Sequence, residues 1–151
     1  VNILRHLKPR IATAALLATG LTAAHADTPI SDLLQRHLTV GVWAGAPLGL
    51  SGRLGAAWPL DKELSVTAGQ EWGTEGKKQF IGFRALYLGH GVGWGGVDLA
   101  HWRTKQQPLM ASKETDYYGL EAQLLVVRAG VMWPEGQPTR PRLTLGLGIS
   151  Y

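Results

Sequence analysis

A chain of 151 residues without a single cysteine excludes disulfide staples, zinc–thiolate centres and thiol catalysis. Its 15 Lys+Arg against 11 Asp+Glu give a net charge of +4, but Arg5, Lys8 and Arg10 supply the surplus and residues 27–151 carry 12 against 11. That near-balance, with no basic cluster interleaved with aromatics, argues against nucleic-acid binding, while 20 glycines and six tryptophans favour a sheet protein with tight turns.

Residues 1–26 read as a secretory signal peptide. Arg5, Lys8 and Arg10 form a positive n-region, Ile11 to Leu21 a short apolar core, and Ala24-His25-Ala26 a small-x-small cleavage site. The apolar run is shorter than the ~20 residues a spanning helix needs. Residues 27–36 form a short lead segment, and its Ile30, Leu33 and Leu34, with Leu38 just beyond it, share the spacing of one helix face.

From His37 the apolar period switches to two, and residues 37–151 are expected to form a barrel. Eight strands are predicted, over about 37–45, 48–58, 63–73, 79–88, 92–103, 116–124, 126–133 and 142–151. Breakers mark most turns: Ala46-Pro47, Pro59 to Lys62, Gly73 to Lys78 and Gly89-His90-Gly91. Longer connections are placed at 104–115 and 134–141, and Pro47, Pro59, Pro108, Pro134, Pro138 and Pro141 all fall outside strands. The turn at Gln123 to Val126 has no Gly, Pro or Asn; only a parity change marks it, and a bulge in one long strand produces the same signature.

One parity of each strand is apolar. It includes Leu38, Val40, Val42 and Ala44; Leu48, Leu50, Leu54 and Trp58; Ile81 and Phe83; Val97, Leu99 and His101; and Leu143, Leu145, Leu147 and Ile149. The other parity is small or polar and holds all six charges predicted inside strands: Arg53, Glu71, Arg84, Asp98, Glu121 and Arg128. In a bilayer the apolar parity faces out, because a Lys or Arg at mid-membrane costs about 2–4 kcal/mol. A soluble lipocalin-like barrel, with its apolar parity inside, is the competing expectation. On the membrane reading Trp58, Tyr87 and Tyr151 form a periplasmic rim, and Trp72, Tyr118 and Trp133 an outer one.

The closing stretch Leu143-Thr144-Leu145-Gly146-Leu147-Gly148-Ile149-Ser150-Tyr151 resembles the C-terminal signature of outer-membrane barrel proteins, with Tyr151 where Phe is commoner. The chain as a whole resembles the small eight-stranded barrels of the OmpA/OmpX type. That resemblance implies an all-β, antiparallel up-and-down transmembrane barrel in the outer membrane, following a cleaved signal peptide. It also implies insertion by the barrel-assembly machinery acting on Leu143–Tyr151, a monomer, and lipids and lipopolysaccharide as surroundings.

Chemistry is less well marked. The expected role is structural or surface-interacting, and the alternative is a lipid A deacylase or acyltransferase of the small-barrel class. The deacylase family pairs an outward His with a Ser two residues later and an acid. His101 is outward, but Arg103 stands at that second position, so the weak candidates are His101, Ser112 and Glu114. A solvated His is the plainer reading. No His/Asp/Glu set has metal-ligand spacing, and no cofactor is implied. Loop 104–115 offers the largest surface for a binding role.

Overall fold

The computed structural model describes residues 37–86, 93–137 and 139–150. The signal and lead segments, the turn at 89–91, Pro138, Tyr87 and Tyr151 lie outside the described residues. Eight strands follow one another: β1 (Leu38–Ala46), β2 (Gly49–Pro59), β3 (Leu64–Gly73), β4 (Gly76–Leu86), β5 (Gly93–Thr104), β6 (Asp116–Leu124), β7 (Val127–Pro134) and β8 (Arg142–Ser150). Each pairs antiparallel with its sequence neighbours, and β8 pairs back onto β1 through Val42↔Ile149 and Ala44↔Leu147, closing the barrel. Closure leaves no free edge, so every strand uses both its hydrogen-bonding sides. Among the described residues no helix is long and apolar enough to cross a membrane, which says nothing about strands.

The alternation read from the sequence is the alternation of the sheet. Leu54, Ile81, Phe83, Val97, Leu99, Leu120, Leu145 and Leu147 are exposed, whereas Arg53, Glu71, Arg84, Asp98, Glu121 and Arg128 are buried inside. The unmarked turn is real: Leu124 pairs with Val127, and Leu125 and Val126 form the tip, with Leu125 at a φ of 53°. The parity change there is therefore a hairpin and not a bulge.

Three local expectations are corrected. Pro59 and Pro134, expected outside strands, are the last residues of β2 and β7, where a missing N–H is tolerated. The segment from Gly73 to Lys78 is not all turn. Gly73 pairs with Gly76 around Thr74-Glu75, so β4 begins three residues earlier than its predicted start at Gln79. Lys78 then shares the inward parity of Phe80 and is fully buried, giving a seventh interior charge among the described residues. Leu48, expected outside, precedes the first residue of β2 and is fully buried within the barrel. Gly49 adopts a φ of +74°, a left-handed conformation that costs a glycine little, and the chain's direction changes there.

The interior is also bulkier than a small-or-polar parity suggests. Trp43, Phe80, Trp102, Tyr117 and Met132 all point inward and are buried. A narrow barrel accommodates them by pairing size with absence of size across the ladder. Trp43 faces Gly148, Phe80 faces Gly69, Arg128 faces Gly146, Met132 faces Gly119, Arg53 faces Gly41 and Arg84 faces Gly96. The fit is close: a Cβ on Gly148 would stand 2.7 Å from the Trp43 ring, and one on Gly146 2.8 Å from Nε of Arg128. The glycine content is thus a packing requirement of the lumen.

At the end of the barrel where β1 begins and β8 ends, the β2–β3 turn is held by Asp61. Its Oδ1 accepts hydrogen bonds from the backbone N–H groups of Glu63 and Leu64, both at 2.7 Å. These two donors hold the carboxyl below its ordinary value of 3.8. A depressed carboxyl contributes stability above its unfolded pKa and loses it as the pH falls through the folded one. Asp61→Ala is therefore expected to melt below the parent protein at neutral pH. The gap should persist down to about pH 3.8 and narrow below it, as thermal melts across that range would record.

Candidate functional site

The lumen is built in tiers. In the middle tier Glu71 on β3, Lys78 on β4, Glu121 on β6 and Arg128 on β7 point to the axis and meet. Arg128 grips Glu71 with two nitrogens, Nη1 to Oε2 at 2.7 Å and Nη2 to Oε1 at 2.6 Å. Lys78 bridges the two acids, Nζ lying 2.9 Å from Glu71 and 2.5 Å from Glu121. Ser51 donates its hydroxyl to Glu71 and Thr144 donates to Glu121. Two cations and two anions cancel, and most of their polar atoms are satisfied, which is what makes a buried ionic cluster tolerable.

A second pair lies towards the end where β1 begins: Nη1 of Arg53 donates to Asp98 at 2.7 Å. Nearby, Nη1 of Arg84 donates to the carbonyl of Leu38 at 3.3 Å. Aromatic faces cover Arg53, Arg128 and Lys78. The Arg53 guanidinium stands 3.5 Å over the Phe80 ring, Arg128 4.6 Å over Trp43, and the Lys78 ammonium 5.9 Å from Trp102. Desolvated cation–π contacts of this kind contribute on the order of 2 kcal/mol.

Towards the other end, Leu48, Phe80, Ala100, Trp102, Tyr117 and Met132 form one buried apolar cluster. Loop 105–115 packs Ala111 against it. The loop is tied down from several sides. The N–H of Lys105 donates to the Glu75 carbonyl at 2.8 Å, that of Gln107 to the Glu75 carboxylate at 3.2 Å, and that of Ser112 to the Tyr117 hydroxyl at 2.8 Å. Thr104 anchors its stem by donating to the carbonyl of Ser112 at 2.7 Å. Fully buried aromatic, methionine and ionic side chains fill this half of the lumen, so it is a packed core and not an open pore.

The sequence candidates separate. His101 faces outward on β5 and stacks on Tyr118 of β6, ring centroids 4.6 Å apart. Its Nε2 lies 3.3 Å from Oδ1 of Asp116. That oxygen has no hydrogen-bond partner of acceptable geometry, and the contact is an ion pair only when the imidazole is protonated. Nε of Arg103 is 3.9 Å from the same oxygen. The acid beside His101 is thus Asp116 and not Glu114, whose carboxylate accepts from Gln106 at 2.9 Å. Ser112 is engaged through its backbone with Thr104 and Tyr117, and no described contact brings it to His101. Among the described residues no cluster of three or more metal-binding side chains occurs.

Sequence reasoning missed Asp116 because its proximity depends on the β5–β6 register, in which Arg103 faces Asp116 and His101 faces Tyr118. It missed Lys78 because a polar run flanked by glycines mimics a loop. The parity shared with Phe80, Gly82 and Arg84 was the available clue.

No protein-family model matches the chain, and searches of curated proteins and of solved structures return no match to it. The class defined by the fold is therefore the small closed eight-stranded antiparallel barrel with an ionic, aromatic-lined interior.

Proposed function

We propose that the protein is an exported outer-membrane β-barrel with a structural or surface-interaction role. The observation that carries this reading is the inverted polarity of the barrel. Leu99, Leu124 and Leu147 are 62%, 65% and 63% exposed, while Glu71 and Lys78 are 0% exposed. In water this arrangement leaves a broad apolar belt solvated; in a bilayer the belt meets hydrocarbon, and the seven interior charges among the described residues are kept away from it.

Two further features support it. Exposed Trp72 and Tyr118 stand near one end of the belt and Trp58 near the other, as interfacial aromatics do. Leu143 to Ser150 of the stretch that resembles a barrel-assembly signature lie in β8, the strand that closes the ring. The packed half of the lumen beneath loop 105–115 favours a scaffold or surface role over conduction.

Fractionation of cells expressing the full chain tests the location. The protein is expected in the outer-membrane fraction, with a gel mobility that shifts on boiling. Recovery from the soluble periplasm without a mobility shift would overturn the proposal.

A further inference from the structure

Among the described residues, the outward face of the barrel breaks its own rule at one place. Along most of the belt the exposed side chains are apolar, but near loop 105–115 two polar rows cross β3 to β6. The upper row runs Trp72, Lys77, Arg103, Asp116, each facing the next across the ladder. Below it runs Gln70, Gln79, His101, Tyr118. Beneath both lies apolar Ala68, Ile81, Leu99, Leu120.

Lys77 and Arg103 are thus directly opposed like charges on an exposed face, a pairing that destabilises a sheet unless an anion lies between them. Asp116 offsets this only in part, since it stands beyond Arg103 at 3.9 Å and also contacts His101. The Arg103 side chain is 65% exposed and open to a second acceptor. Directly below the two cations, Gln79, Ile81, Leu99, His101 and Tyr118 line a depression of about 330 Å³.

We infer that this rim patch binds a phosphorylated lipid, its phosphate held between Lys77 and Arg103 and the start of one acyl chain seated in the depression over Ile81 and Leu99. The inference rests on the outer-membrane reading, which places the polar rows at headgroup depth. A phosphomonoester supplies the acceptors that an opposed Lys and Arg require, Arg taking two oxygens and Lys one. Gln79 adds a neutral donor at the depression's mouth, and the acyl chain explains why the cations stand over an apolar hollow.

The test is native mass spectrometry of the full chain in detergent micelles. Three probes are used: dioctanoyl phosphatidic acid, the matching dioctanoylglycerol, and inorganic phosphate. Phosphatidic acid is expected to be retained as one equivalent, with the other two held more weakly. The exposed double variant Lys77→Gln/Arg103→Gln should weaken retention on the order of tenfold. Gln79→Trp, which narrows the depression and leaves both cations in place, should weaken it as well. Equal capture of phosphatidic acid and dioctanoylglycerol, equal capture of inorganic phosphate, or unchanged retention by the double variant would each overturn the site. A protein that inserts into the outer membrane yet shows one of these results leaves the location standing, so the two failures are distinguishable.

Discussion

Arg128→Met is expected to destabilise the barrel by about 3–5 kcal/mol, the usual consequence of removing one partner from a buried ion cluster. Arg128 is the bidentate partner of Glu71 and lies 3.7 Å from Glu121. Without it two buried carboxylates share the single ammonium of Lys78, and one negative charge has no cation within the lumen's middle tier. Methionine fills similar volume above Gly146, so the loss is electrostatic and not a cavity effect. The measurement is the urea midpoint in micelles, followed by the boiling-dependent gel shift.

The same series contains its own control. Pairing Arg128→Met with Glu71→Gln removes one charge of each sign and should recover much of the loss, because the remaining Lys78–Glu121 pair is neutral. Double-mutant analysis would then return a coupling energy well above the ~0.5 kcal/mol seen for independent sites. Arg140→Met, on the exposed β7–β8 connection, should stay within about 0.5 kcal/mol of the parent. If Arg128→Met proves as mild as Arg140→Met, the ionic tier does not hold the strands together.

What could be read from the sequence divides along physical lines. Period-two alternation is a local property, so the strands and most of their outward leucines were legible, and a change of parity marked a turn near Gln123 to Val126 with a bulge as its alternative. Whatever depended on register was not. Gly146 and Gly148 looked like generic small residues, yet they are the positions over which Arg128 and Trp43 lie. Lys78 looked like part of a polar turn because Thr74-Glu75 needs only two residues, and the chain resumes its strand while still polar.

The candidate site followed the same division. That His101 faces outward was fixed by its own parity, while its neighbours Asp116 and Tyr118 come from the next strand. The paths that carry Ser112 to the Tyr117 hydroxyl and Glu114 to Gln106 belong to a folded loop with no repeating pattern. Tiering of the interior, with aromatics over cations, is likewise a product of strand tilt and pairing that no single strand encodes.

Leu147→Arg separates the two environments in which this fold can exist. Leu147 is 63% exposed and sits one residue from the centre of β8, facing Ala44 on one side and Val127 on the other. In a water-soluble barrel an exposed leucine exchanged for arginine changes stability by no more than about 0.5 kcal/mol, and the belt would gain solubility. In a membrane barrel the same guanidinium must enter hydrocarbon, at a cost of about 2–4 kcal/mol near the midplane. The position also lies within the closing strand, so a slowed insertion would leave β1 and β8 unpaired and the chain open to periplasmic proteolysis. Leu147→Arg is thus expected to reduce the heat-modifiable outer-membrane species several-fold, while Leu147→Val leaves it nearly unchanged. The pair holds the position fixed and varies the charge, so normal assembly of the arginine variant would mean that the exposed belt faces water.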